Sequence, residues 1–200
     1  MDTQLNKPNE PERYQPREGD IVFQALPLED DLIEAIEGVT ESNYSHVGVL
    51  LKHDTEWIVI EASRPGVIYT PFNEWKAKGR DGRWAAYRLK STYQDNIPRF
   101  VKNLEQHIGK SYDFKYELTE DKLYCSELIY HAWKSSTGEQ MGELKKIGEL
   151  NWKPYREVIE KYNEASVPVE RQVISPIELS KADQLEKIYD HGLGWWIIKL

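Results

Sequence analysis

The chain contains one cysteine, Cys125, and its position favours nucleophilic chemistry. A polar loop at residues 118–122 precedes a helical pattern that begins near Tyr124, so Cys125 is predicted in the first turn of a helix. Unpaired backbone N–H groups and the positive end of the helix dipole stabilise a thiolate there, and the same N–H groups can hold an oxyanion. A small core residue is the alternative interpretation of a single cysteine. A nucleophilic role also requires a histidine and an acid from elsewhere in the chain.

His46 and Glu61 are the histidine and the acid that a predicted β-hairpin brings together. If the hairpin is centred between His53 and Asp54, His46 lies directly opposite Glu61, where Cβ atoms are about 4.5–5.5 Å apart. A register shifted by two residues places Ser63 opposite His46 and leaves Glu61 on the diagonal, still on the same face. In both registers the carboxylate can hydrogen-bond the imidazole and favour its charged form. A polar sheet histidine with an incidental acidic neighbour is the alternative interpretation.

The remaining titratable residues give no sign of a metal or cofactor site. No histidine pair has the HExxH spacing of a zinc site, and no Walker-type or dinucleotide glycine pattern is present. Glu127 follows Cys125 closely and is interpreted as an acid favoured by the helix N-terminus rather than as a second catalytic carboxylate. We therefore expect neither a metal nor a cofactor.

Strands followed by helices must position these residues. Apolar runs bounded by turn residues predict strands at residues 21–24, 46–51, 57–62, 66–69 and 84–89. Helical spacing predicts helices near residues 30–36, 97–108, 124–133 and 154–162, before a short β-type run at 167–174. Strands clustered ahead of helices predict an α+β fold with a mainly antiparallel sheet packed against helices.

Composition excludes several classes of protein. The 200 residues are predicted to form one domain, residues 19–200, behind a polar N-terminal arm at residues 1–18. One cysteine excludes an intramolecular disulfide framework and CxxC metal knuckles. The net charge of −8, with no basic stripe, disfavours a nucleic-acid partner.

The hydropathy pattern predicts a protein without a membrane span. No segment reaches the roughly 18 consecutive apolar residues that a span requires. The N-terminus lacks the apolar stretch of a secretory signal, so we expect a cytoplasmic protein. The apolar segment at residues 194–200 is too short to cross a bilayer and is predicted to be a terminal strand or a clamp on the core.

The order of several short motifs resembles the permuted papain-like cysteine hydrolases, most of all the YiiX-like branch of the NlpC superfamily. The similarity runs from about Gly19 to the helix after Cys125, and on to Leu179. The motifs are Gly19-Asp20-Ile21-Val22-Phe23, Ser45-His46-Val47-Gly48-Val49, Glu61-Ala62 and Tyr124-Cys125-Ser126-Glu127-Leu128.

The resemblance implies a permuted papain-like fold and a cysteine hydrolase that cleaves an amide through an acyl-enzyme. In that family the histidine and its polar partner precede the cysteine. The resemblance therefore implies Cys125 as the nucleophile, His46 as the base and Glu61 as the residue that orients His46. It suggests small peptide, amino-acid or acyl-amide substrates, cell-wall peptides among them.

Tyr44 and Tyr124 are candidate substrate-binding residues, because one precedes the histidine strand and the other adjoins the nucleophile. Ordinary aromatic packing is the alternative interpretation of each side chain.

Two other functions stay open at this point. A lipid-directed thiol acyltransferase or phospholipase of the lecithin-retinol acyltransferase type has the same permuted order, but it typically carries Asn-Cys-Glu-His around the nucleophile, which this chain lacks. A low-turnover module that binds an amino acid or a peptide is the second alternative, and the complete set of Cys125, His46 and Glu61 argues against it.

Overall fold

A six-stranded antiparallel sheet organises residues 14–194, the residues that the computed structural model describes. Its spatial order is β10-β5-β1-β2-β3-β4, and every neighbouring pair is antiparallel. These strands are β1 (Ile21–Gln24), β2 (His46–His53), β3 (Glu56–Ala62), β4 (Val67–Pro71), β5 (Trp84–Leu89) and β10 (Leu185–His191). Two-residue strands form two small ladders, parallel β6 (Ser111–Tyr112) with β7 (Lys122–Leu123) and antiparallel β8 (Lys145–Lys146) with β9 (Gln172–Val173).

The α-helices are placed around this sheet, with α3 and α4 packed together and α4 also against β2 and β3. They are α1 (Asp31–Thr40), α2 (Phe72–Ala77), α3 (Ile97–Glu105), α4 (Cys125–Thr137), α5 (Arg156–Asn163) and α6 (Pro176–Ser180). Short 3-10 segments occupy Arg80–Gly82, Ser91–Asn96, Ile147–Glu149 and Lys153–Tyr155.

Both faces of β2 are buried, which explains its nearly continuous apolar sequence. Successive side chains of a strand point to opposite faces. Val47 and Val49 belong to the main core, which includes the buried side chains of α3 and α4. Leu50 belongs to a smaller cluster with Phe72 and Trp75 of α2. His46, at the start of β2, lies on the same face as Leu50.

The predicted α+β class with a mainly antiparallel sheet is confirmed. The five predicted strands all form, and the four predicted helices correspond to α1, α3, α4 and α5 with shifted ends. The acidic start of α1 is confirmed as well, since Asp30 caps the helix by accepting a hydrogen bond from the Leu32 N–H at 2.9 Å.

The predictions of local structure from the sequence were incomplete. Residues 167–174 form a strand only at Gln172–Val173, and α2, α6 and β10 were not predicted. Helices α2 and α6 have six and five residues, too few to show helical periodicity. Strand β10 is an edge strand with exposed charged residues, so it lacks the apolar pattern of a buried strand.

The register of the β2–β3 hairpin differs from the first expectation. Val49 pairs with Ile60 and His53 pairs with Glu56. This register places Ser63, rather than Glu61, in the position opposite His46. The direct pairing of His46 with Glu61 is therefore wrong, and the register shifted by two residues is right. The cause is the turn, which lies one residue further along and begins at Asp54 with a φ of +53°.

The last residues of the predicted N-terminal arm contact the sheet. The ring of Tyr14 lies 5.1 Å from that of Trp84 and 5.5 Å from that of Tyr189, and its hydroxyl donates to Asp20 at 2.6 Å. Residues 1–13 of that arm and the apolar tail after Gly194 lie outside the described residues. Between residues 14 and 194, no helix combines the length and apolar character needed to cross a membrane.

Candidate active site

Helix α4 places Cys125 at its first residue, as the sequence predicted. Strand β7 leads almost directly into the helix, and the buried residues Leu128, Ile129 and Trp133 hold α4 in the main core. The helix ends at Gly138, which adopts a left-handed conformation with a φ of +80°. The Cys125 side chain thus lies beside the N–H groups of the first turn, which have no partner within the helix, and the residue is only 3% exposed.

His46 connects Glu61 to Cys125. Its Nε2 atom is hydrogen-bonded to Oε2 of Glu61, and the Cys125 side chain lies close enough to the imidazole to raise its pKa. Because Nε2 contacts the carboxylate, Nδ1 is the ring nitrogen left for the thiol. The ring of Trp75 lies 6.4 Å from the imidazole, centroid to centroid. The three chemistry-bearing residues selected from the sequence therefore lie together in one buried cluster.

The second oxygen of the Glu61 carboxylate is held by two residues that sequence reasoning missed. Thr70 Oγ1 donates to Oε1 at 2.5 Å, and Lys78 Nζ lies 3.4 Å from the same atom. Thr70 belongs to β4, and Lys78 follows the unpredicted helix α2. Reading the β3–β4 register would have indicated Thr70, because its partner Val59 is two residues from Glu61.

The hydrogen bonds oppose the effect of burial on both members of the His46–Glu61 pair. Burial raises the pKa of Glu61, but His46, Thr70 and Lys78 outweigh burial and lower it to about 2. Burial lowers the pKa of His46, but Cys125 and Glu61 outweigh burial and raise it to about 10. The pair is therefore an imidazolium facing a carboxylate at neutral pH.

Tyr44 and Tyr124 are placed in the core. The Tyr44 ring packs against Phe23, and its hydroxyl is 2.9 Å from that of Tyr87. The Tyr124 hydroxyl accepts a hydrogen bond from the Ile174 N–H at 3.1 Å. Neither tyrosine lines the two cavities described below, and a substrate contact by either one stays a prediction.

A different pair of tyrosines lies beside Cys125. The hydroxyls of Tyr112 and Tyr116 are 3.0 Å apart. Burial, together with the neighbouring Cys125, raises the pKa of both phenols, so they stay neutral donors at physiological pH. No motif marked these residues, because Tyr112 lies in a two-residue strand and Tyr116 in the loop after it.

Two cavities of different polarity meet at this site. An apolar cavity of about 110 Å³ is lined by Cys125 and Tyr116, among others. A larger, more polar cleft of about 520 Å³ is lined by His46, Glu61 and Tyr112. Ser45 borders both spaces. Cys125 therefore lines the apolar cavity, whereas His46 lines the polar cleft.

Glu127 is fully buried two residues after Cys125. Its carboxylate accepts from the Tyr124 N–H at 3.3 Å and lies 3.2 Å from Nε2 of His131. Burial raises its pKa to about 7, although His131 and the Tyr124 N–H partly oppose that change. Its contacts are with α4 itself, in agreement with the structural role expected from the sequence.

The chain is similar to known proteins over most of its length. The uncharacterized protein YiiX of Escherichia coli (strain K12) is 30% identical over 179 residues, which cover 88% of this chain and 87% of that protein. The crystal structure of metalloprotein YiiX from Escherichia coli O157:H7 matches with a TM-score of 0.81 and 29% identity, covering 89% of this chain and 99% of that one.

The description of that crystal structure as one of a metalloprotein applies to the E. coli protein. Among residues 14–194 of this chain, the His, Cys, Asp and Glu side chains form no group of three or more that could hold a metal ion. The described residues therefore do not fit such a site, and the expectation of no metal stays a prediction.

The model of one family matches residues 15–189, nearly the whole described region. That family is described as permuted papain-like amidase enzymes of the YaeF/YiiX, C92 type. The match agrees with the resemblance inferred from the short motifs and with the observed fold. The chain belongs to the YaeF/YiiX (C92) family of permuted papain-like amidases.

Proposed function

We propose that this chain is a cysteine amide hydrolase whose nucleophile is Cys125, whose base is His46 and whose orienting acid is Glu61. The observation that carries the proposal is the buried cluster in which Glu61 is hydrogen-bonded to His46 and His46 neighbours the thiol at the start of α4. An imidazolium and a helix N-terminus beside one sulfur are the surroundings in which cysteines act as nucleophiles.

The reaction proceeds in two stages. The Cys125 thiolate, whose proton is held by the His46 imidazolium, attacks the amide carbonyl, and the resulting oxyanion is held by backbone N–H groups at the start of α4. The C–N bond then breaks as His46 returns the proton to the leaving amine, and the acyl group stays on Sγ as a thioester. Water, deprotonated by His46, attacks the thioester, releases the carboxylic acid and restores the thiol.

Glu61 acts through His46. Its hydrogen bond to Nε2 fixes the ring so that Nδ1 faces the thiol, and its charge stabilises the imidazolium. Thr70 and Lys78 in turn hold the carboxylate in place. Glu61, Thr70 and Lys78 are positioning residues in this scheme.

The substrate that we propose is an amide of a peptide or of an N-acyl amino acid, with cell-wall peptides as one source. Transfer of the acyl group to an acceptor other than water, as in the lipid-directed relatives, would use the same first stage.

A cytoplasmic location of the protein also stays a prediction.

Thiol labelling tests the proposal without a known substrate. Cys125 should react with iodoacetamide near neutral pH much faster than an ordinary thiol, and His46→Ala should slow that reaction. His53→Ala is the matched control, because the His53 side chain is 75% exposed in the hairpin turn. Labelling at the rate of an ordinary thiol in all three proteins would refute the hydrolase and leave the low-turnover binding module.

A substrate screen completes the test. Peptidoglycan fragments, N-acyl amino acids and phospholipid esters should be compared, with Cys125→Ala as the inactive control. Cleavage of an amide that Cys125→Ala abolishes supports the proposed reaction. Cleavage confined to phospholipid esters favours the lipid-directed alternative instead.

A further inference from the structure

The His46–Glu61 pair lies on the face of the sheet that helix α2 covers. Glu61 is two positions from Val59 on β3, so both side chains point to one face, and Val59 packs with Trp75 of α2. The Trp75 ring lies 6.4 Å from the imidazole of His46, and Nζ of Lys78, just after the helix, lies 3.4 Å from Oε1 of Glu61. Helix α2 therefore separates the pair from water.

Helix α2 depends on its packing for its position. It has six residues, too few for a helix to be stable on its own. Its N-cap, Pro71, makes no side-chain hydrogen bond, and only Phe72 and Trp75 of the helix are buried. Gln24 Nε2 of β1 donates to the Trp75 carbonyl at 2.9 Å. The contacts of Phe72 and Trp75 must therefore decide where α2 lies.

Tyr14, in the predicted N-terminal arm, supplies one of these contacts. Its ring packs against Phe72 with the centroids 6.1 Å apart and against Trp84 with the centroids 5.1 Å apart. Phe72 in turn stacks on Trp75 at 6.2 Å. Ring contacts thus run from Tyr14 through Phe72 and Trp75 to the imidazole of His46. Removal of the Tyr14 ring would expose Phe72, one of the two side chains that hold α2 in place.

Asp20, from the first of the short sequence motifs, fixes the arm. Its buried carboxylate accepts hydrogen bonds from the Tyr14 hydroxyl at 2.6 Å and from the Arg17 N–H at 2.9 Å. Arg88 donates to both carboxylate oxygens, at 2.7 and 2.8 Å, and to the Gln15 carbonyl at 3.1 Å. These side-chain partners lie outside the candidate site, so the anchoring of the arm explains a buried carboxylate that the proposed reaction does not use.

We infer that Tyr14 is a positioning residue of the active site, which acts through Phe72 and Trp75 to keep the His46–Glu61 pair away from water. This inference rests on the proposed hydrolase and gives the N-terminal arm a part in its catalysis. Electrostatic interactions and hydrogen bonds are stronger where water is excluded. Loss of the Tyr14 ring should therefore loosen α2, admit water and weaken the pair.

The pKa of His46 reports this change independently of catalysis. The partners of His46 raise its pKa to about 10 in the closed site. Water around the pair moves a titratable group back toward its ordinary pKa, which is 6.5 for histidine. The pKa of His46 should therefore fall when α2 is loosened, whereas a general loss of stability that leaves α2 in place should not change it.

Tyr14→Ala tests the inference, and Tyr14→Phe is the conservative variant because it keeps the ring. Titration of the His46 ring nitrogens by ¹⁵N NMR, assigned with His46→Ala, should give a midpoint lower by about one pH unit in Tyr14→Ala. Labelling of Cys125 by iodoacetamide should be slower by roughly threefold to tenfold, because the ring loses its fixed orientation. Tyr14→Phe should restore both values.

Tyr93→Ala is the matched control. Tyr93 is half-buried like Tyr14, but its ring packs 6.1 Å from Trp133 in the main core. Its loss should cost stability without changing the His46 midpoint or the labelling rate. If Tyr14→Ala does not fold, Tyr14→Leu takes its place, because leucine keeps apolar volume without the ring.

The outcomes separate this inference from the proposed function. A lower midpoint and slower labelling that occur only without the Tyr14 ring support it. Wild-type values in Tyr14→Ala, or equal changes in Tyr93→Ala, overturn it and leave the hydrolase standing. A Tyr14→Phe protein as impaired as Tyr14→Ala also overturns it, because the effect would then belong to the hydroxyl. Slow labelling of the wild type refutes the hydrolase, and with it the part of the arm in catalysis.

Discussion

His46 and Glu61 are joined across a diagonal of the β2–β3 hairpin, with Nε2 of the imidazole hydrogen-bonded to Oε2 of the carboxylate. The position opposite Glu61 in this register is Gly48. A Cβ atom on Gly48 would lie 3.3 Å from the Cβ of Glu61. The absence of a side chain at Gly48 therefore leaves the space in which Glu61 leans toward His46.

Replacement of Glu61 by glutamine tests the charge of this side chain independently of its size. The amide keeps the shape, but it removes the charge that stabilises the His46 imidazolium. We expect kcat/KM to fall roughly 10²–10⁴-fold, the range found for general acid–base and orienting residues. The rate of iodoacetamide labelling should fall as well.

Glu56→Gln is the control for this change, because Glu56 lies on the same strand and is exposed. It should leave activity and labelling at the wild-type level. A Glu61→Gln variant as active as Glu56→Gln would show that the carboxylate has only a structural role.

The free energy of unfolding should depend on pH through the same pair. Glu61 has a pKa lowered from 4.5 to about 2, so its contribution is present above pH 4.5 and is lost as the pH falls through 2. His46 has a pKa raised from 6.5 to about 10, so its contribution is present below pH 6.5 and is lost as the pH rises through 10. The two contributions coexist fully between pH 4.5 and 6.5.

Urea unfolding of the wild type and of Glu61→Gln across pH measures this prediction. The stability difference between the two proteins should be largest at about pH 5.5 and shrink toward both extremes. A difference that is constant from about pH 3 to about pH 9 would contradict the assigned ionisation of the pair.

The sequence predicted the placement of Cys125, and the shared face of His46 and Glu61, better than their surroundings. Cys125 could be assigned to a helix start because a polar loop and a periodic pattern meet there. The side chains of His46 and Glu61 could be assigned to one face because both registers considered preserve the alternation. The exact register could not be predicted, since the turn at Asp54 lacks the Asn-Gly or Asp-Gly pair that fixes a two-residue loop.

Contacts between elements distant in the chain could not be predicted from local sequence patterns. Thr70 reaches Glu61 only because β4 pairs with β3, and Lys78 only because α2 turns back over the sheet. The apolar cavity requires α5 to face α1, a packing that no local pattern specifies. Lys161 of α5 forms an ion pair with Asp31 of α1 at 2.6 Å, although some 130 positions separate them.

Ionisation of Glu127 should lower the free energy of unfolding as the pH rises, in contrast to ionisation of Glu61. Its pKa is raised from 4.5 to about 7 by burial, so the contribution of its neutral form is present below pH 4.5 and is lost as the pH rises through 7. Glu127→Gln should therefore gain stability relative to the wild type between about pH 5 and pH 8, by on the order of 2 kcal/mol.

Urea unfolding of the wild type and of Glu127→Gln at about pH 5 and about pH 8 measures this gain in stability. Glu139→Gln is the control, because Glu139 is exposed just after α4 and its replacement should leave the stability unchanged. If Glu127 instead forms a stabilising ion pair with His131, its replacement would destabilise the protein most near neutral pH. That result would contradict the raised pKa.

Gly48→Ala should damage both stability and activity through the Glu61 side chain. The added Cβ would overlap Cγ1 of Val59 and lie 3.0 Å from the Ile60 carbonyl oxygen, which crowds the strand that carries Glu61. Overpacking of this kind costs about 1–3 kcal/mol. Slower labelling of Cys125 should accompany the lost stability, because a displaced Glu61 no longer holds the His46 ring.

A double-mutant cycle with Val59→Ala tests whether this overlap is the cause. Val59 is fully buried, so Val59→Ala alone leaves a cavity and destabilises the protein. In the double variant the methyl group added at position 48 occupies part of that cavity. Its loss of stability should therefore be smaller than the sum of the single losses by about 1 kcal/mol or more, with labelling partly restored. Strict additivity of the two losses would show that Gly48 is required for a reason other than the space beside Val59 and Glu61.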